Sequence, residues 1–85
     1  MQIEIFTGPG CGYCEAAKAL LRDRGLSYAE RDVSDPATLA EMRARLPRSR
    51  SIPQVFVDGT HVGGYDDLRL MADRGALPGA GGGGA

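Results

Sequence analysis

The chain has 85 residues, 42% of them hydrophobic, and a formal net charge of -1 at pH 7. That length holds one domain with one modest core, and the near-neutral balance argues against nucleic-acid binding, which needs a basic surface. No apolar run approaches the ~18 residues of a membrane span, and no charged-then-apolar leader precedes the first expected strand, so the expectation is a soluble, cytoplasmic monomer with no membrane partner.

Gln2 to Phe6 reads as a short strand with apolar positions alternating at Ile3 and Ile5, followed by a turn at Thr7-Gly8-Pro9-Gly10. Helical spacing takes over after Cys14, where Ala17, Leu20 and Leu21 recur at i, i+3 and i+4. Between turn and helix stands Cys11-Gly12-Tyr13-Cys14. Two thiols at this spacing, where a strand gives way to a helix, suit the making and breaking of a disulfide, and near a βαβ pattern the motif reads as thioredoxin-like. Other uses of the pair are weaker. A structural bridge over so short a loop removes little entropy from the unfolded chain. A zinc site needs about four ligands, and outside the pair the chain adds only His61, with no second cysteine pair. A turn rich in glycine is a poor place to bury inert thiols.

Gly25 ends the first helix just after Arg22 and Arg24, cations suited to a helix C-terminus. Leu26 to Val33 is the next extended stretch. Ser34-Asp35-Pro36 opens a second helix, because Ser or Asp can cap and proline suits the first helical position. Leu39, Met42 and Leu46 form its apolar stripe, and Pro47 stops it. Ile52 to Val57 reads as a third strand, with Asp58-Gly59 as a hairpin turn into Thr60-His61-Val62. Gly63-Gly64 breaks that strand and permits close approach of backbone or ligand. Tyr65, Asp66 and Asp67 begin a third helix with Leu68, Met71 and Ala72 on its inner face, ending near Gly75. The order βαβαββα implies a parallel crossover followed by an antiparallel hairpin, hence an α/β fold with a mixed four-stranded sheet packed with three helices. The domain should cover residues 1–77. Residues 78–85 are nearly all glycine and alanine and are expected to form a disordered tail.

From Gln2 to about Leu77 the chain resembles a glutaredoxin of the dithiol type. Three motifs carry the resemblance in the family's order: Cys11-Gly12-Tyr13-Cys14, Ile52-Pro53-Gln54-Val55-Phe56-Val57-Asp58-Gly59, and Gly63-Gly64-Tyr65-Asp66-Asp67. Thioredoxins are usually longer and carry a tryptophan before the pair, whereas this chain has no Trp. Glutathione transferases share the fold in an N-terminal domain but add a helical domain for which there is no room here. The resemblance implies the thioredoxin-like fold and a glutathione-dependent oxidoreductase that reduces protein disulfides and glutathione mixed disulfides. Its partners would be glutathione and disulfide-containing or glutathionylated proteins. Carried over by position, Cys11 would be the nucleophile, Cys14 the resolving thiol and Tyr13 an aromatic wall beside glutathione. Pro53 would be cis, with the Ile52 backbone pairing with the glutathione cysteine. Asp66, with the backbone around Gly64 and Tyr65, would hold the γ-glutamyl end, and Arg48 or Arg50 would meet the glycyl carboxylate. Each residue also has a plainer explanation. Arg43, Arg45, Arg48 and Arg50 suit a solvated helix end, Asp66 and Asp67 suit a helix start, Tyr13 suits an exposed surface, and His61 is an ordinary hairpin side chain.

At an unperturbed pKa of about 8.5 only a few per cent of a thiol is ionised at pH 7, so Cys11 needs tuning. A helix dipole contributes about 1 kcal/mol, less than one pKa unit, and backbone N–H donors from Tyr13 and Cys14 must add to it. Cys14, further into the helix, should be less exposed and suited to resolving a mixed disulfide. The resemblance carries two departures. Many family members have lysine where this chain has Gly8, and most dithiol members have proline where it has Gly12. Relatives with glycine at the latter position can hold a [2Fe-2S] cluster between two subunits with two glutathiones. That makes an iron-sulfur carrier or sensor the alternative, with Cys11 as ligand and a dimer only if cluster-bridged; no other metal site is expected.

Overall fold

The computed structural model describes residues 1–77; the tail expected over 78–85 lies outside the described residues. The elements are β1 (Ile3–Thr7), α1 (Gly12–Asp23), β2 (Ala29–Asp32), α2 (Pro36–Arg45), β3 (Gln54–Val57), β4 (Thr60–Gly63) and α3 (Tyr65–Asp73). The strands form one sheet in the order β2-β1-β3-β4. β1 runs parallel to β2 and antiparallel to β3, and β3 and β4 form the hairpin. This is the mixed sheet that the element order implied. Among the described residues no helix is long and apolar enough to cross a membrane.

β1 is flanked on both edges and covered on both faces, so its sequence cannot be purely alternating. Ile3 and Ile5 point into a core shared with Val55 and Val57, with Ala17 and Leu21 of α1 and with Leu68 and Ala72 of α3; Leu77 closes it. Phe6 points the other way, against Phe56 and Met42, with Val33, Leu39, Leu46 and Ile52 around them. The Phe6 and Phe56 rings meet edge to face at 6.0 Å, a favoured arrangement of ring quadrupoles.

Two boundaries differ from the expectation. α1 begins at Gly12 rather than after Cys14, because Cys11 is itself its N-cap, with extended backbone and a side chain that accepts from the Cys14 N–H. β2 is confined to Ala29–Asp32 instead of Leu26 to Val33. The Leu26 N–H donates to the Leu21 carbonyl at 3.0 Å, which makes Leu26 part of the exit from α1 rather than of the sheet. β2 carries Glu30, Arg31 and Asp32 on an outer edge, and charges there discourage pairing with another chain.

α2 covers its sheet face only in part: Thr38 and Met42 are buried, while Leu39 and Leu46 of the expected stripe are half-buried. Two arginines complete the cover. Arg31 and Arg45 lie over the Phe6 ring at 5.4 and 5.6 Å, and Arg45 lies 4.1 Å over Phe56, within cation–π range. Glu4 and Glu41 hold both guanidinium groups. The hydrogen bond from Arg45, reinforced by Arg31, holds the Glu4 carboxyl below its ordinary value despite an opposing effect of burial; Arg31 does the same for Glu41. A carboxylate depressed in the folded state adds stability above its unfolded pKa and loses it as pH falls through the folded one. Stability should therefore hold from neutral pH to about pH 5 and decline below about pH 4. Denaturant unfolding across that range should show a shallower decline in Glu4→Gln; an identical slope would remove Glu4 from the account.

Candidate active site

The turn from β1 to α1 contains Gly10 in the left-handed region, φ +67°, where glycine carries no Cβ penalty. Beyond it Cys11 stands at the mouth of α1, and the Cys14 N–H donates to its sulfur at 3.1 Å. That donor and the helix N-terminus both favour a negative sulfur. Of the two expected amides, Cys14 is the one that donates among the described hydrogen bonds. The two sulfurs are joined as a disulfide, with Cα atoms 5.2 Å apart. Their surroundings differ: Cys14 is fully buried, whereas Cys11 is partly open. An incoming thiolate therefore reaches only the Cys11 side of the pair.

Segments distant in sequence complete the site. The Ile52–Pro53 peptide is cis, and the Ile52 carbonyl oxygen lies 3.8 Å from Cys11 Sγ. Gly8 faces the same wall, since a Cβ built there would come within 2.7 Å of Ile52 Cδ1. At the far side Gly63 has φ +127°, and a Cβ there would collide with the Asp67 carboxylate. Only glycine meets both conditions. Asp67 in turn accepts from the Gly64 N–H at 3.2 Å, which anchors the start of α3. Tyr13 is 67% exposed, and its ring lies 6.0 Å from that of Tyr65 in a tilted arrangement.

Between these segments runs a groove of about 480 Å³. It is lined by Tyr13, Ile52, Pro53, Gly64, Tyr65 and Asp66, so six of the residues singled out from sequence come together. Arg50 lies outside it, in an adjoining cleft with Arg43 and Pro47 that shares Ser49 with the groove. Arg48 lines neither. Among the described residues Arg43, Arg48 and Arg50 form no ion pair, unlike Arg45, which belongs to the Glu4 network.

Ser49, Ser51, Gln54, His61, Gly63 and Asp67 also line the groove. His61 is more than a hairpin side chain: its Nε2 is 2.7 Å from Gln54 Oε1 and its ring is 5.1 Å from that of Phe56. One signal pointed there. Gln54 is polar within an otherwise apolar strand, and a buried amide needs partners. Among the described residues no group of three or more His, Cys, Asp or Glu could hold a metal ion.

A redox cysteine pair at the head of the first helix, faced by an X-Pro loop from the third strand, defines a dithiol-disulfide exchange domain of thioredoxin-like architecture. The comparisons are narrower. The family model described as Glutaredoxin matches residues 3–62. The chain is 39% identical over 75 residues to Glutaredoxin 3 of Escherichia coli strain K12, covering 88% of this chain and 90% of that protein. It is 50% identical over 66 residues to the hybrid peroxiredoxin hyPrx5 of Haemophilus influenzae, covering 78% of this chain but spanning only 27% of that protein. Among solved structures it is similar to a buckwheat glutaredoxin–glutathione complex, with a TM-score of 0.77 and 28% identity over 88% of this chain and 71% of that one. It is also similar to the glutaredoxin-like NrdH-redoxin of Escherichia coli, described as having a thioredoxin-like activity profile, with a TM-score of 0.70 and 26% identity over 84% and 95% of the two chains. The chain belongs to the glutaredoxin family. It is an oxidoreductase of that family, with Cys11–Cys14 as its redox-active disulfide.

Proposed function

We propose that the chain is a cytoplasmic, monomeric, glutathione-dependent thiol-disulfide oxidoreductase acting on glutathionylated proteins and protein disulfides. One observation carries the reading: the accessible sulfur of the pair, Cys11, has the Cys14 amide at 3.1 Å and the Ile52 carbonyl at 3.8 Å, and Ile52 and Tyr13 line a groove of about 480 Å³. A glutathione-bound neighbour of the same fold supports that occupant.

In the proposed cycle the Cys11 thiolate attacks the glutathione sulfur of a mixed disulfide. The substrate thiolate leaves and takes a proton from water, and Cys11 is left joined to glutathione. A second glutathione thiolate then attacks that bond, releasing glutathione disulfide and regenerating Cys11. With a protein disulfide, Cys11 first forms a bond to one substrate sulfur. Cys14 then displaces the reduced protein by bonding to Cys11, and two glutathiones reopen the pair. Tyr13 walls the groove, the Ile52 backbone pairs with the glutathione cysteine, Pro53 shapes that segment, and Gly64, Tyr65 and Asp66 receive the γ-glutamyl end. Arg48 or Arg50 receives the glycyl carboxylate.

A second reading has support of its own. The NrdH-redoxin neighbour, the glycine at position 8 and the placement of Arg48 and Arg50 outside the groove all fit a weaker glutathione site and a disulfide reductase of thioredoxin-like activity. Reduction of a glutathionylated peptide, coupled to glutathione reductase in one assay and to thioredoxin reductase in another, separates the two. Turnover only with glutathione supports the proposal; turnover only with thioredoxin reductase assigns the second reading.

The [2Fe-2S] alternative fits one chain poorly. Buried Cys14 leaves one presentable thiolate, and no other donor cluster stands near it among the described residues. A [2Fe-2S] cluster is usually held by four thiolates, so the others would have to come from a second chain and from glutathione. No step of the cycle runs through it. Gly12 does not demand glycine for packing: a Cβ there meets nothing within 4 Å, and it is the first residue of α1, where proline is favoured. Gly12→Pro should therefore keep reductase turnover and raise stability by about 0.5 kcal/mol. Loss of turnover would show that residue 12 must flex.

Gly8→Lys tests the missing cation. Room for its Cβ requires only that the tip of Ile52 swing aside. The added charge should favour the Cys11 thiolate and tighten glutathione binding by less than about tenfold, as for other partly exposed pairs. Ultraviolet thiolate titration and KM for glutathione read the change, and no movement in either would separate residue 8 from the site.

A further inference from the structure

Every residue of β3, Gln54 to Val57, is buried, and Gln54 is only 5% exposed. A buried carboxamide brings donors and an acceptor that need partners. Gln54 Nε2 donates to the Ser51 carbonyl at 3.1 Å and to Ser51 Oγ at 3.3 Å, and its Oε1 meets His61 Nε2 at 2.7 Å. The Ser51 carbonyl can only accept, which fixes the end of the amide that faces it. His61 Nε2 must then carry a proton. The hairpin register that pairs Val57 with Thr60 sets Phe56 opposite His61, and the His61 ring rests on the Phe56 ring. Strand β4 is thereby tied through β3 to the residue preceding Ile52, whose carbonyl faces Cys11.

We propose that Gln54 and His61 are a positioning pair that holds the Ser51-Ile52 backbone where an extended peptide substrate pairs with it. The pair sets substrate affinity through the 51–52 backbone, while the Cys14 N–H that favours the Cys11 thiolate belongs to α1 and is untouched. The inference rests on the oxidoreductase reading above and adds two residues to it.

His61→Phe keeps a ring against Phe56 and removes the donor; Gln54→Met keeps length and removes every hydrogen bond. Each should raise KM for a glutathionylated peptide about three- to tenfold, the usual worth of a hydrogen bond, with kcat at saturation and the Cys11 thiolate titration unchanged. The double variant should be no worse than the worse single one, the signature of residues acting as one unit. Order parameters from 15N relaxation should fall at Ser51 and Ile52 in each. Unchanged KM and order parameters, strictly additive effects, or a shifted titration would overturn the proposal. Should Gln54→Met fail to fold, His61→Phe, at an exposed position, decides alone. Absence of glutathione turnover in the wild-type protein sinks the functional reading instead, and the order parameters still decide whether the pair holds the segment.

Discussion

Cys11→Ser should reduce every thiol-disulfide activity to the uncatalysed background, whereas Cys14→Ser should retain glutathionyl transfer and lose turnover of protein disulfides. The asymmetry follows from position. Cys11 caps α1, receives the Cys14 N–H and is partly exposed, while Cys14 is fully buried and can be reached only by its neighbour. A serine hydroxyl at position 11 is not ionised at neutral pH and cannot form the mixed disulfide. A serine at position 14 keeps the backbone donor and removes only the resolving sulfur. Transfer from a glutathionylated peptide should then stay within about tenfold of wild type, a barrier change under ~1.4 kcal/mol. With a protein disulfide the Cys14→Ser protein should stall as a covalent adduct through Cys11, visible by mass spectrometry. Loss of deglutathionylation in Cys14→Ser alone, with the fold intact, would reverse the assigned roles.

Phe6→Ala should cost about 3–5 kcal/mol, the usual range for truncating a buried aromatic ring. Phe6 is fully buried, meets Phe56 edge to face and supports the guanidinium groups of Arg31 and Arg45. Its removal opens a cavity on the face where α2 gives the least cover. Domains of this size hold together by about 5–15 kcal/mol in all, so the variant should sit near the limit of folding. Phe6→Leu, which keeps most of the volume, should cost under about 2 kcal/mol. Urea denaturation at neutral pH measures both, and a loss under about 1 kcal/mol for Phe6→Ala would mean that the face repacks.

The element order was legible because glycine, proline and capping residues punctuate the chain where the hydrophobic period changes: Asp35-Pro36 starts a helix, Gly25 and Gly75 end two, and Asp58-Gly59 turns a hairpin. β2 was less legible. Leu26, Tyr28 and Val33 look strand-like by residue type, and nothing local reveals that the Leu26 amide is used to close α1. Six groove residues were readable from short motifs because each motif fixes its own backbone. Arg48 and Arg50 were not placeable in that way, since the 46–53 loop takes its shape from contacts across the fold. The Gln54–His61 bridge was harder to read because the two are not directly opposed: His61 stands opposite Phe56, and Gln54 reaches it from two residues along the strand.

Cys11 and Ile52 stand 41 positions apart, with α1, β2 and α2 between them. A chain synthesised only as far as α2 already carries both thiols but lacks the Ile52 wall that faces Cys11. Bringing that wall in closes a long loop, and its entropic cost is met when β3 pairs with β1. Until then neither Ile52 nor the rest of the groove stands beside the pair. The cysteines are thus made early in the life of the polypeptide, and the surroundings that face them are assembled only once the sheet is complete.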